Sequence, residues 1–237
     1  MATLGVNIDH IATLRQARLG VEPSVLEGAL ICEKMNVNAI TMHLREDRRH
    51  IQDYDIEQVK NTIRIHLNLE MAATEEIQKI ALKTMPYSCT LVPEKRQELT
   101  TEGGLEIANN KEYLKKYIGT LNQKEIIVSL FIDPDEKQIL ASKEVGAQYV
   151  EFHTGKYAEF FGTKEGEFEF EKLKNAVELA HSLGLQVNAG HGLNYQNVTP
   201  IAKLPYMQEL NIGHSIISKA IFVGLEKAVL EMKNLIS

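Results

Sequence analysis

The chain has 237 residues, 44% hydrophobic and 24% charged, a length that suits one large domain or two small ones around a real core. With 32 acidic residues against 26 Lys and Arg, the formal net charge is −6, which disfavours nucleic acid and anionic membrane surfaces as partners. Cys32 and Cys89 lie in apolar runs without metal-ligand spacing, no apolar run approaches the roughly 18 residues of a membrane span, and the Met-Ala-Thr-Leu-Gly-Val start lacks a basic leader. The expectation is a cytoplasmic protein with reduced thiols and no membrane partner.

In chain order, short runs rich in β-branched residues alternate with longer segments of helical periodicity. Strands are predicted at 4–8, 39–42, 65–69, 88–92, 126–132, 149–152, 185–188 and 209–212. A helix opened by Pro23-Ser24 follows the first strand, and further helices are predicted over 74–84, 111–121, 136–145, 170–183 and 215–235. Thr74-Glu75-Glu76 reads as a cap followed by acidic residues suited to a helix N-terminus, and Gly146 and Gly184 read as C-caps. Eight βα units without a linker or composition shift predict an α/β fold: a single (β/α)8 TIM barrel with extra helices, one domain over 1–237. The open doubly wound sheet is disfavoured, because Gly5-Val6-Asn7-Ile8-Asp9-His10 carries no G-x-G-x-x-G.

In such barrels the active site lies at the C-terminal strand ends. Those ends carry Asn7, Asp9 and His10, then His43 and Arg45, then Glu70, Glu151 and His153, then Asn188, His191 and Gly192, and finally Asn211, Gly213 and His214. A single such histidine is as readily structural as catalytic, but five of the eight histidines on one rim with two glutamates argue for an active site. His66 and His181, inside a strand and a helix, are assigned to structure.

The run His43-Leu44-Arg45-Glu46-Asp47-Arg48-Arg49-His50 adds cationic groups. Glu46 and Asp47 can simply pair with Arg48 and Arg49, whereas Arg45 and His50 suit an anionic substrate, with Arg15 and Arg18 as further candidates. The loops Asn188-Ala189-Gly190-His191-Gly192 and Asn211-Ile212-Gly213-His214 let backbone N–H groups approach a phosphate. The long connection over 92–109 is expected to act as a lid, disorder being the alternative. There is no H-E-x-x-H and no strand-end lysine, Lys156 standing beyond Gly155, so neither a metal hydrolase nor a Schiff-base aldolase is supported. Acid–base chemistry by His and Glu on a phosphorylated substrate remains. Another phosphosugar isomerase or synthase and a non-catalytic phosphometabolite-binding protein are the alternatives.

Long motifs then carry a resemblance over the whole chain: Gly-Val-Asn-Ile-Asp-His-Ile-Ala-Thr-Leu-Arg (5–15), His-Leu-Arg-Glu-Asp-Arg-Arg-His (43–50), Asn-Leu-Glu-Met-Ala (68–72) and Leu-Val-Pro-Glu-Lys-Arg-Gln-Glu (91–98). They continue with Thr-Thr-Glu-Gly-Gly (100–104), Ser-Leu-Phe-Ile-Asp (129–133), Val-Asn-Ala-Gly-His-Gly-Leu (187–193) and Glu-Leu-Asn-Ile-Gly-His (209–214). The sequence resembles the pyridoxine 5′-phosphate synthase family. The resemblance implies a cofactor-free condensation of 3-amino-2-oxopropyl phosphate with 1-deoxy-D-xylulose 5-phosphate to pyridoxine 5′-phosphate, phosphate and water. It further implies that His43 and Glu70 accept protons, His191 donates one and Glu151 stabilises a transition state. By the same resemblance Asn7, Arg18, Gly192, Gly213 and His214 hold the amino-ketone phosphate, while Asp9, His10, Arg45, His50 and Thr100 hold the deoxyxylulose phosphate. A homo-octamer built from dimers is also implied, which leaves open whether Arg18 serves its own subunit or a neighbour.

Overall fold

The computed structural model describes residues 2–94 and 103–237. Eight parallel strands, β1 (Thr3–Asn7), β2 (Ala39–His43), β3 (His66–Met71), β4 (Ser88–Leu91), β5 (Ile127–Ile132), β6 (Tyr149–His153), β7 (Gln186–Gly190) and β8 (Met207–Ile212), close into a barrel in sequence order. Around it lie α1 (Asp9–Gln16), α2 (Val25–Lys34), α3 (Asp53–Thr62), α4 (Glu75–Thr84), α5 (Lys111–Asn122), α6 (Glu136–Glu144), α7 (Gly155–Glu159), α8 (Lys164–Ser182), α9 (Val198–Ala202), α10 (His214–Val223) and α11 (Leu225–Ile236). The expected (β/α)8 barrel is therefore the fold. Among the described residues no helix is long and apolar enough to cross a membrane.

Local chemistry explains both agreement and difference. Ser24 and Thr74 cap α2 and α4 by accepting the Glu27 and Ile77 N–H groups, and Gly146 and Gly184 take the positive φ that ends α6 and α8. The predicted 215–235 helix is two helices, broken at Gly224 with φ of 83°. The helix expected from 170 begins at Lys164, where Thr163 accepts the Gly166 N–H, because the cap precedes the apolar periodicity by several residues. Helices α1 and α3 escape a periodicity reading, since each buries only a narrow apolar stripe, Ile11 with Ala12 and Ile56 with Val59.

The apolar core lies between barrel and helices, filled on the strands by Ile40, Met42, Leu67, Leu69, Val128, Leu130, Val150 and Phe152. The alternate strand positions are polar. Thr41 Oγ1 donates to Asn211 Oδ1 at 2.8 Å, and Asn211 Nδ2 donates to Glu151 Oε2 at 2.8 Å. These pairs join β2 to β8 and β8 to β6, strands that are not neighbours, so the bonds cross the barrel interior. Asn68 extends the network, its Oδ1 accepting from Ser88 and Thr90 at 2.9 and 3.0 Å. The apolar runs of the sequence conceal this polar lumen because alternate residues on one strand point to opposite faces.

Candidate active site

The C-terminal rim is built from strand register. Within β2 and β3, His43 stands beside Glu70, and within β6 and β7 Glu151 stands beside Asn188. Asn7, ending β1, donates from Nδ2 to Asp9 Oδ2 at 3.0 Å and to Glu70 Oε2 at 3.4 Å, while Asp9 Oδ1 accepts the backbone N–H of His43 at 2.8 Å. β1, β2 and β3 are thereby locked at their ends. His43 Nδ1 lies 3.9 Å from Glu70, and its Nε2 lies 2.8 Å from Glu94 Oε1.

The two rim glutamates prefer their protons. Burial raises Glu70 well above the usual carboxylate range, and the charges of Glu151 and Asp9 raise it further against the hydrogen bond from Asn7. Burial also lifts Glu151, from an ordinary 4.5 to about 8, despite the Asn211 amide, with Glu209 adding repulsion. Interacting carboxylates of this kind titrate as a pair. His191 moves the other way, to about 4, through burial and then the nearby His153. Burial likewise lowers His10, where His214 adds to the effect, and His50, against the raising charge of Asp9.

His191 sits on a strained loop. Its φ is 78°, and Gly192 follows at 77°. Thr154 holds this turn from β6, its Oγ1 donating to the carbonyls of Gly190 and His191 at 2.8 and 2.6 Å, and Asn197 Nδ2 donates to the Gly192 carbonyl at 3.2 Å. A Cβ at Gly190 stands 2.4 Å from Glu151 Oε1, so any side chain there has to displace that carboxyl. Ser215, in the first turn of α10, donates to Leu193 O at 2.8 Å and brings that helix N-terminus to the His191 loop. Glycine loop and helix N-terminus together suit a phosphate.

The opposite side of the rim carries Arg45, which is 4% exposed, and His50, whose ring centroid is 6.1 Å from that of His43. The Ile51 N–H donates to His50 Nδ1 at 2.8 Å, so an uncharged His50 holds its proton on Nε2. Arg49 pairs with Asp47 as expected, but Arg48 turns to Asp53 and Glu76 at 2.7 and 2.8 Å. Asp9, His43 and Glu70 place ligand atoms within 4.8 Å of one another, a spacing able to hold a cation. Asn7 and the His43 N–H already engage both Asp9 oxygens, which fits a hydrogen-bonded acid–base group better.

A model of the family described as pyridoxal phosphate biosynthesis protein PdxJ matches residues 4–237. The chain belongs to the PdxJ family. A protein named pyridoxine 5′-phosphate synthase from Synechococcus sp. (strain JA-2-3B'a(2-13)) is 57% identical over 233 residues, 98% of each chain. One of the same name from Geotalea uraniireducens (strain Rf4) is 55% identical over 236 residues, covering 100% of this chain and 99% of its own. Among solved structures, orotidine 5′-monophosphate decarboxylase from Methanocaldococcus jannaschii aligns over 100% of this chain and 99% of its own at a TM-score of 0.67 and 14% identity, a likeness of fold alone. Membership in the PdxJ family makes the chain a biosynthetic enzyme.

On this PdxJ-family barrel the sequence-predicted residues mostly converge. Asn7, Asp9, His43 and Glu70 form one connected group, Glu151 joins Asn211 in the lumen, and the rings of His10 and His214 approach to 4.9 Å. Gly213 packs against Asn7, where a Cβ stands 2.9 Å from the Asn7 carbonyl oxygen. Arg15 does not join a positive pocket. Its guanidinium is committed to Asp55 by two bonds of 2.7 Å. Arg18 is exposed and has no side-chain partner among the described residues, and Thr100 lies outside them, as do residues 95–102 of the expected lid. His66 and His181 stack on Tyr87 and Tyr206 at 3.5 and 3.7 Å, in keeping with structural duty.

Sequence reasoning passes over Glu94 and Asp133. Asp133 Oδ1 lies 3.1 Å from His153 Nδ1, and the His153 ring lies 4.8 Å from that of His191. Both carboxylates follow strand ends, β4 and β5, so the rule that finds the other rim residues finds these as well once it is applied to every strand.

Proposed function

We propose that the chain is a pyridoxine 5′-phosphate synthase that condenses 3-amino-2-oxopropyl phosphate with 1-deoxy-D-xylulose 5-phosphate, releasing phosphate and water, by acid–base chemistry without a cofactor. The observation that carries this reading is the rim, where the buried Glu70 and Glu151 hold their protons and His43 Nδ1 stands 3.9 Å from Glu70.

Ring closure joins amine to ketone, moves protons repeatedly and expels phosphate and water, so it needs several acid–base groups around one cavity. A carboxylate with raised proton affinity is a stronger base once ionised, which suits Glu70 as one acceptor, with His43, its Nδ1 3.9 Å away, as the other. Glu151, whose carboxyl is held by Asn211, stabilises charge developing in the transition state. His191 has too low a proton affinity to donate as an imidazolium in the free enzyme. A phosphate dianion seated at Gly192 and the α10 N-terminus raises that affinity, so substrate binding arms His191 as the donor. The amino-ketone phosphate takes this corner, with Asn7, Arg18, Gly213 and His214. The deoxyxylulose phosphate takes the other, with Asp9, His10, Arg45, His50 and Thr100.

The test is a two-substrate turnover assay read by the absorbance of pyridoxine 5′-phosphate. Product and phosphate are expected only when both substrates are present, with the rate unchanged after exhaustive chelation. Glu70→Gln and His191→Asn are expected to keep the fold and bind substrate but lose ring closure by at least about 100-fold. Near-normal turnover in either variant sinks the assignment.

A further inference from the structure

The carboxylate of Glu94 is 5% exposed, and its two oxygens engage the last residue of β2 and the turn that follows it. Oε1 lies 2.8 Å from His43 Nε2, and Oε2 accepts the backbone N–H of Glu46 at 3.0 Å. Burial raises its proton affinity, but the bond and charge of His43, the Glu46 N–H and the charge of Arg45 outweigh that and hold Glu94 below the usual carboxylate range. Glu94 is thus ionised at neutral pH and can only accept hydrogen bonds. His43 Nε2 must donate, so an uncharged His43 ring leaves its lone pair on Nδ1, the atom 3.9 Å from Glu70.

We propose that Glu94 is a positioning residue that holds His43 in the Nε2–H tautomer and presents the Nδ1 lone pair to the reacting protons beside Glu70. The proposal rests on the reading of His43 as a proton acceptor. A base with its lone pair on the wrong nitrogen fails even when every contact around the substrate is intact, which is the expected consequence of losing an orienting carboxylate. Besides Glu94 and Glu70, the titratable groups around His43 among the described residues are Asp9 on its backbone N–H, His50 at its ring edge and Arg45 two residues on.

The full-length enzyme and its Glu94→Gln, Glu94→Ala, Glu94→Asp and His43→Asn variants are compared. Nitrogen-15 NMR of the imidazoles, assigned through His43→Asn, is expected to show the Nε2–H tautomer in the parent and its loss in Glu94→Ala. The value of kcat is expected to fall about 100-fold in Glu94→Ala with both KM values little changed, and to recover partly in Glu94→Asp. In Glu94→Gln the amide oxygen can still accept from His43 Nε2, so kcat is expected to fall less than in Glu94→Ala. If His43→Asn is inactive while Glu94→Ala keeps the parent tautomer and kcat, the positioning role is overturned and the role of His43 stands. If Glu94→Ala raises KM with kcat unchanged, Glu94 serves binding and the proposal also fails. Full activity in His43→Asn instead overturns the reading of His43 itself.

Discussion

The protonation of single residues governs what this rim can do. Glu151 is held at about 8 by burial, so the folded protein binds a proton there that the unfolded chain releases near 4.5. The sign follows directly. The native state holds more protons between these two values, so this group's contribution to stability is full below the lower one and is lost as pH rises toward 8. Glu151→Gln, which stays uncharged, is expected to flatten that loss. Melting temperatures across pH 5 to 8 test it, and a parent enzyme whose melting temperature is as flat as that of the variant overturns it. Gly190 shows a second residue-scale constraint, since the space a Cβ needs is taken by the Glu151 carboxyl. The loop motif makes that glycine visible as one of a pair, but which glycine lies against the Glu151 carboxyl depends on the neighbouring strand.

Between elements, the decisive contact is the buried Arg15–Asp55 pair, both side chains 3% exposed, which ties α1 to α3. Asp55 also accepts the Gln52 N–H at 2.8 Å, so the start of α3 and the Arg15 guanidinium share one carboxylate. Removing Asp55 leaves a buried cation unpaired, and Asp55→Ala is expected to cost about 3 to 5 kcal/mol in chemical unfolding. A loss below about 1 kcal/mol contradicts this, and an Arg15→Met, Asp55→Ala double variant is expected to recover much of it. Composition allows Arg15 to serve a substrate or a structural partner, and its acidic partner lies 40 residues away. No short-range pattern pairs the two. The strand ends are different, because a barrel delivers all eight to one rim, so Asn7, His43, Glu70, Glu151 and His191 are legible as neighbours before their distances are known.

For the whole molecule, the net charge of −6 coexists with local cationic and glycine-rich corners, so the global sign says little about an anionic substrate. Large apolar side chains remain exposed on two segments, Leu19 at 83% and Val21 at 85% after α1, and Ile221 at 70% and Phe222 at 87% in the last turn of α10. Helices α1 and α10 touch each other, and an apolar surface of this kind suits burial against another subunit. A homo-octamer built from dimers is the expected state, and native mass spectrometry tests it. A stable monomer at micromolar concentration removes that expectation, and with it any sharing of Arg18 between subunits.

By itself the sequence determined the barrel, the rim and the family, because strand and helix periods are local and long motifs in fixed order are specific. Only the tertiary structure decided that Arg15 is committed to Asp55, that Glu94 and Asp133 back His43 and His153, and that the lumen carries a hydrogen-bonded chain from Glu151 through Asn211 and Thr41. The physical reason is the same in each case. Pairing and protonation depend on which polar groups are buried together, and burial joins residues from elements far apart in the chain.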